Sequence, residues 1–309
     1  MINNIVAVQG DDLQKINLKS DTSIFLAYEA QNKNYKIFYY QPKDLSVINN
    51  KVFAYGNFVK FNYIKKKFFK IIKKKKLELT KSKFILIRQD PPFNLEYIST
   101  TYILDSIKTK VKIVNNPSSI RNISEKLYSV NFFKFMPDTI FSQNINYIKK
   151  FFLKNKKIIM KPIHGYGGNE IHLIEKKFNK ILVEKFIKKH GHVMFQKFLA
   201  NIKHGDKRVF LINGKICGAI SRVPKKGSFL SNMSKGAVPT LTKLTKKEIK
   251  ISKLIADKLK KNDIYFAGID FIDQKLNGDI NVTSPTGLKT YYDLSKINLA
   301  KVFWKGLKA

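Results

Sequence analysis

With 309 residues, 44% of them hydrophobic, the chain can bury substantial cores in two or three lobes, and no apolar run is long enough to span a bilayer. The formal charge of +37 would attract any polyanion. Lys dominates Arg, however, Asn, Ile and Phe are abundant, and neither a C2H2 pattern nor an RRM-type aromatic motif is present, so an AT-biased coding sequence explains the charge as well as nucleic-acid binding does.

The opening MINNIVAVQG has no basic lead, and residues 2–8 read as a buried strand rather than a signal peptide. The single cysteine, Cys217, excludes an intrachain disulfide and fits a reducing compartment, so a cytoplasmic location is expected. Asp21, Thr22 or Ser23 begins a helix carrying Ile24, Phe25, Ala27 and Tyr28, and residues 36–40 form a second strand. This β-α-β opening predicts a parallel sheet covered by helices. In KKKFFKIIKKKK, residues 65–76, Phe68, Phe69, Ile71 and Ile72 among lysines predict a surface helix with its apolar stripe on the sheet. A basic membrane-surface helix is the weaker reading. Strand 84–87 runs into Arg88-Gln89-Asp90-Pro91-Pro92-Phe93, whose prolines end it. Open α/β sheets bind ligands at strand C-termini, which suits Arg88 to clamp a carboxylate. Strand 112–114 and a helix from Ser118 or Ser119 close a first lobe near residue 122.

Strand 139–142, helix 145–153 and strand 158–161 lead to Pro162-Ile163-His164-Gly165-Tyr166-Gly167-Gly168; strand 170–174, helix 178–189 and strand 192–198 follow. A glycine turn lets backbone N–H groups approach phosphate, although many such turns merely connect strands. Lys161, ending an apolar strand just before it, makes a phosphate site more specific. His164, His172 and His192 have no metal-ligand spacing and read as loop and surface residues.

Asn213-Gly214 predicts a hairpin between the strands from Asp206 and to Val223, bringing Arg208 and Arg222 near each other, where paired guanidiniums need anions. Cys217 lies within a strand and reads as core. Residues 224–239, rich in Gly, Ser, Pro and Lys, read as a lid, and residues 245–260 as a capped amphipathic helix. In 265–286, Asn277-Gly278 predicts the turn joining two strands that place Asp270, Asp279 and Asn281 on one face. Such an all-oxygen set suits Mg2+ between protein and phosphate; the alternative is a turn cap at one Asp and a solvated carboxylate at the other. One closing helix is expected after Thr286.

GID (268–270) with DINVTSPT (279–286), RQDPPF…TTYILD, SEKLY, KPIHGYGGNEI, GDKRVFL and SRVP closely resemble, in order along nearly the whole chain, the prokaryotic-type glutathione synthetases of the ATP-grasp superfamily. The resemblance implies an α/β (α+β) ATP-grasp fold: an N-terminal parallel-sheet substrate-binding lobe over 1–122, a central and lid subdomain over 123–200 and a catalytic subdomain over 201–309. It implies ligation of γ-glutamylcysteine to glycine through an acyl phosphate, with ATP and Mg2+ or alternatively Mn2+, by a homotetramer without specific nucleic-acid or membrane partners.

By the same resemblance Lys126 and Lys161 bind ATP beneath a phosphate-covering loop of Gly165, Tyr166, Gly167 and Gly168. Gln196, Lys197, Phe198 and Leu199 form the adenine hinge, with Gln196 on the adenine amino group, and Asp206 contacts ribose. Arg208 and Arg222, with Lys161, meet the reacting phosphate and substrate. Ser23 and Arg88 lie near the peptide substrate, Asn232 belongs to the lid, and Ser284 and Thr286, beside Pro285, position the glycine carboxylate. Two departures from the family are Leu230, where Arg is common, and Asp279, where Glu is usual, with one extra residue in the preceding turn. A D-alanine–D-alanine or glutamate-adding ligase is the nearest alternative, but RQDPPF and DINVTSPT match the glutathione branch.

Overall fold

A computed structural model describes residues 4–17, 20–63 and 68–307. Among the described residues the chain forms three sheets, one per lobe. In the first lobe the elements are β1 (Ile5–Gln9), α1 (Thr22–Asn32), β2 (Lys36–Tyr40), β3 (Leu45–Ile48), β4 (Lys51–Phe61), β5 (Phe69–Glu78), β6 (Phe84–Ile87), α2 (Leu95–Asp105), β7 (Lys112–Val114) and α3 (Pro117–Asn122). Their order is β3-β4-β2-β1-β6-β7, with β5 on β4; β2, β1, β6 and β7 run parallel. The continuous apolar runs of β1 and β6 are buried on both faces, as expected for parallel strands under helices. α1 starts where Asp21 Oδ1 accepts from the Ile24 amide at 2.7 Å.

The helix expected over 65–76 is not formed. Residues 65–67 lie outside the described residues, and from Phe69 the segment is β5, an edge strand laid antiparallel on β4. The ladder of β4 satisfies its backbone, which the spacing of four apolar residues could not reveal. The lysines stay exposed, Lys74 over the Tyr55 ring and Lys76 over that of Phe53 at 4.9 and 4.4 Å.

The second lobe holds β8 (Thr139–Ser142), α4 (Ile145–Asn155), β9 (Ile158–Pro162), β10 (His172–Ile174), α5 (Lys180–His190) and β11 (Val193–Lys197), an antiparallel sheet in the order β10-β9-β11-β8. Phe151, Phe152, Val183 and Phe186 from its helices fill one core with Ile158, Met160 and Phe195.

The third lobe holds β12 (Asp206–Ile212), β13 (Lys215–Val223), β14 (Val238–Leu241), α6 (Lys246–Lys261), β15 (Phe266–Ile272), β16 (Lys275–Asn281), α7 (Leu288–Ser295) and α8 (Leu299–Leu307), with the antiparallel order β14-β13-β12-β15-β16. Asn213 and Gly214, at φ 50° and 72°, turn β12 into β13 as expected. Thr245 and Glu248 form a reciprocal capping box at the start of α6.

The β15–β16 turn differs from expectation. It falls at Asp273-Gln274, both at positive φ, and Asn277-Gly278 lies inside β16. Ile269 pairs with Ile280 and Phe271 with Leu276, so Asn277, Gly278 and Asp279 bulge opposite Asp270 alone. The extra length is therefore a bulge, not a longer turn. The tail forms two helices where one was expected. Trp304 on α8 donates to the Leu26 carbonyl at 2.9 Å, and Phe210, Phe266 and Phe303 share a core with Val6, Ile24 and Leu26, locking the third lobe to the first. No helix among the described residues is long and apolar enough to cross a membrane.

Candidate active site

The three lobes enclose a cleft of about 780 Å3, a size suited to small-molecule ligands. Its floor comes from register. Cross-strand pairing sets Arg208 on β12 opposite Asp270 on β15, and Asp206 opposite Arg222 on β13. Arg208 forks onto Asp270, one arm at 2.8 Å to Oδ2; Arg222 donates from Nε to Asp206 Oδ1 at 2.8 Å and also reaches Asp270 Oδ2 at 3.0 Å. All four side chains are buried, so each charge depends on the others. Burial alone would raise the Asp270 carboxyl, but Arg208 and Arg222 outweigh it and hold it at about 2.

Above the floor stand two ammonium groups. Lys161 on β9 lies 3.0 Å from Asn277 Oδ1, 3.1 Å from the Asn277 carbonyl and 3.7 Å from Asp279 Oδ2. Lys126 donates to the Gly165 carbonyl at 2.6 Å and lies 3.4 Å from Asp279 Oδ1. The bulge in β16 is what carries Asn277 and Asp279 to these lysines. Burial lowers the Lys161 pKa, partly offset by Asp279. Gly165, Tyr166, Gly167 and Gly168 line the cleft beside them. At Gly168, φ is 75° and an added Cβ would come 2.3 Å from Asn232 Oδ1, so the glycine turn and residue 232 touch directly.

Lys197, Phe198 and Leu199 line one end of the cleft. Gln196 lines it too, but its carboxamide is engaged: Oε1 accepts from Lys161 at 3.3 Å and Nε2 donates to Thr139 Oγ1 at 3.0 Å. In this arrangement Gln196 orients Lys161. Asp206 lines the cleft, with both its oxygens bonded to Arg222 and Oδ2 also accepting from Ser231 at 2.6 Å.

Asn232, Ser284 and Thr286 line the cleft; Ser284 Oγ donates to the Gln89 carbonyl at 2.7 Å. Arg88 and Ser23 stand behind the wall. Arg88 is buried, donates from Nε to Ser23 Oγ at 3.0 Å and from a terminal nitrogen to the Pro285 carbonyl at 3.0 Å. Arg88 thus braces the 284–286 turn, a contact made across the closure of the third lobe on the first. Three further participants went unread in sequence. Glu125 accepts from the Val282 and Thr283 amides and from Thr283 Oγ1 at 2.8–3.1 Å; its only signal is its place before Lys126. Asn277 was hidden by its reading as a turn. Ser231 stands in the loop without a local pattern.

Among the described residues no group of three or more His, Cys, Asp or Glu side chains is arranged to hold a metal ion. Asp270, Asp279 and Asn281 nonetheless share the cleft lining, with Asn281 Nδ2 fixed on the Gly268 carbonyl at 3.1 Å. Two carboxylates and an amide fit a magnesium ion that completes its shell with phosphate and water.

Residues 5–121 match the family "Prokaryotic glutathione synthetase, N-terminal domain" and residues 125–296 match "Prokaryotic glutathione synthetase, ATP-grasp domain". The glutathione synthetase of Rhodopseudomonas palustris is 34% identical over 307 residues, covering 98% of each chain. That of Bradyrhizobium diazoefficiens is 35% identical over 302 residues, covering 97% of this chain and 96% of its own, and that of Buchnera aphidicola subsp. Baizongia pistaciae is 34% identical over 304. Among solved structures, an ATP-grasp ligase with a minimal precursor variant, Mg and ADP superposes with a TM-score of 0.66 at 12% identity, covering 100% of this chain and 98% of its own. D-alanyl-alanine synthetase A from Vibrio cholerae gives 0.59 at 12%, covering 98% and 97%. These two show a shared fold.

Proposed function

The chain belongs to the prokaryotic glutathione synthetase family and is an ATP-dependent carboxylate–amine ligase, and we propose how its cleft performs the reaction. The cysteinyl carboxylate of γ-glutamylcysteine attacks the γ-phosphorus of ATP, ADP leaves, and an acyl phosphate forms. The glycine amine attacks the acyl carbon, phosphate departs with the bridging oxygen, and glutathione results. Lys126 and Lys161 meet the phosphates beneath the turn of Gly165, Tyr166, Gly167 and Gly168, and with Arg208 and Arg222 they stabilise the negative charge that grows during transfer. Their prior placement supplies most of the acceleration, because no water need reorganise.

Lys197, Phe198 and Leu199 hold the adenine, and Gln196 aims Lys161. Thr286 and Ser284, braced by Arg88 and Ser23, orient the glycine carboxylate, and Asn232 covers the phosphates from the lid. Asp206 fixes Arg222. Mg2+, or alternatively Mn2+, held by Asp270, Asp279 and Asn281, would neutralise phosphate charge during transfer. A cytoplasmic homotetramer, binding neither nucleic acid nor membrane, is the setting that resemblance to the family supports.

The observation that carries this reading is the convergence of Lys126 and Lys161 on Asp279, within 3.4 and 3.7 Å, facing the buried Arg208–Asp270 pair. Phosphate release with ATP, γ-glutamylcysteine and varied amino acids tests it. Glycine should be the preferred acceptor. Turnover no higher than the ATP-only blank with every pair sinks it, and a preference for D-alanine in both positions moves it to the dipeptide-ligase branch.

A further inference from the structure

Three neighbouring side chains of the loop over 224–239 each touch a different part of the cleft. Phe229 sets its ring edge-on to Phe198, centroids 6.2 Å apart, at the hinge end. Asn232 lies against Gly168 of the glycine turn. Between them Ser231, only 8% exposed although its neighbours 225–228 are open to solvent, donates from Oγ to Asp206 Oδ2 at 2.6 Å. Asp206 is the far end of the chain of charges Asp206–Arg222–Asp270–Arg208. Leu230, which lines the cleft beside Ser231, brings no charge to it. The loop's polar tie to that network is therefore a hydroxyl.

We propose that Ser231 is a positioning residue that seats the lid over the reacting end of the cleft through its bond to Asp206, and so keeps water from the acyl phosphate. The water-excluding role rests on the ligase reading above; the seating does not. A buried hydrogen bond to a carboxylate is stronger than a neutral one, and here it acts where Phe229 and Asn232 supply only contacts of shape. With the lid unseated, water replaces glycine as the nucleophile. Its oxygen bonds to the acyl carbon, the carbon–oxygen bond to phosphate breaks, a proton passes to solvent, and γ-glutamylcysteine returns with ADP and phosphate as net products.

Two measurements on the full chain test this. Trypsin reaches the exposed Lys225, Lys226 and Lys235, so cleavage within 224–239 reports lid opening. Ser231→Ala should be cut there about tenfold faster than the natural chain, and Ser231→Thr, which keeps the hydroxyl, close to the natural rate. Equal rates in the natural chain and Ser231→Ala, a Thr variant as fast as Ala, or cleavage spread beyond the loop would overturn the seating. The second measurement is the ratio of phosphate released to peptide formed. It should be near one in the natural enzyme and rise severalfold in Ser231→Ala; a ratio unchanged in an active variant overturns the water-excluding role. If the natural enzyme forms no peptide with any acceptor, the ligase reading fails, while the cleavage rates still decide whether Ser231 seats the lid.

Discussion

Asn115 grips Phe266 from both sides of its peptide: Oδ1 accepts from the Phe266 amide at 2.8 Å and Nδ2 donates to the Phe266 carbonyl at 2.7 Å. The same carboxamide accepts from the Tyr265 amide at 2.9 Å and donates to the Val282 carbonyl at 2.7 Å. One buried side chain from the end of β7 thus completes the backbone bonding at the start of β15 and just past the end of β16, the two strands that carry Asp270, Asp279 and Asn281.

Asn115→Ala should therefore leave four backbone groups without this partner, three of them buried. A loss of about 3–5 kcal/mol is expected, at the high end for a point substitution, because the cost is desolvation without a partner. Urea midpoints measure it. A loss below about 1 kcal/mol would mean that the strand ends find other partners.

Lys161→Met separates binding from stability. The ammonium is buried, its pKa is lowered by that burial, and its removal leaves Asp279 still 3.4 Å from Lys126. Folding stability should change by no more than about 1 kcal/mol, since the ion's desolvation cost disappears with its attraction. ADP affinity, read by calorimetry, should fall roughly 10- to 100-fold, the worth of one charge-assisted bond. Unchanged affinity would remove Lys161 from the phosphate site.

Much of this was legible from local chemistry. Continuous apolar runs fixed β1, β2, β6 and β7, and polar residues at 21–23 and at Thr245 marked two helix starts. Arg208 and Arg222 could be brought together because Asn213-Gly214 sets the register of β12 on β13. What failed depended on partners far along the chain. Residues 69–78 are a strand only because β4 lies beside them, and the bond of Arg88 to the Pro285 carbonyl spans two lobes. Of Asn277-Gly278 only Gly278 takes the positive φ that the dipeptide signals, and a bulge uses that conformation as readily as a turn does, while Asp273-Gln274 took the turn.

Two carboxylates give opposite pH dependences. Asp270 sits at about 2 in the fold against an ordinary 3.8, so its stabilisation is complete above 3.8 and is lost as pH falls toward 2. Asp90 is exposed at the mouth of the cleft, where desolvation by the protein around it and then Asp11 beside it push its carboxyl up to about 6, an effect that solvent screening keeps small in stability. The folded state therefore holds its proton more tightly than the unfolded chain does, and stability declines as pH rises from about 4 to about 6. Asp90→Asn should flatten that decline while leaving the acid limb from Asp270 intact. Thermal midpoints at half-unit pH intervals test the pair, and an undiminished decline in the variant would assign it to another group.

Asp270→Asn probes the floor itself. The carboxylate neutralises two buried guanidiniums at once, and an amide cannot, so Arg208 and the second arm of Arg222 face each other with Asp206 as their one remaining carboxylate in the network. Breaking a buried pair this way costs about 3–5 kcal/mol, and phosphate release should drop by at least about 10²-fold. The double variant Asp270→Asn with Arg208→Met removes the stranded cation and should recover part of the stability without recovering turnover. Recovery of both would mean that the pair serves the fold alone.

Gly278→Ala tests whether the bulge in β16 positions the site. Gly278 holds φ at 85°, which a side chain rarely adopts, and an added Cβ would come 2.4 Å from Met194 Cε and 3.0 Å from Met136 Cε. The methionine ends are flexible and can yield, so the backbone conformation carries most of the penalty, about 1–2 kcal/mol. The larger effect should fall on binding, because Asn277 and Asp279 flank this residue and together hold Lys161. The KM for ATP is expected to rise about tenfold with a smaller change in kcat, the signature of a shifted binding group rather than a lost reacting one. An unchanged KM accompanied by the full stability loss would show that Asp279 keeps its place by some means other than the bulge.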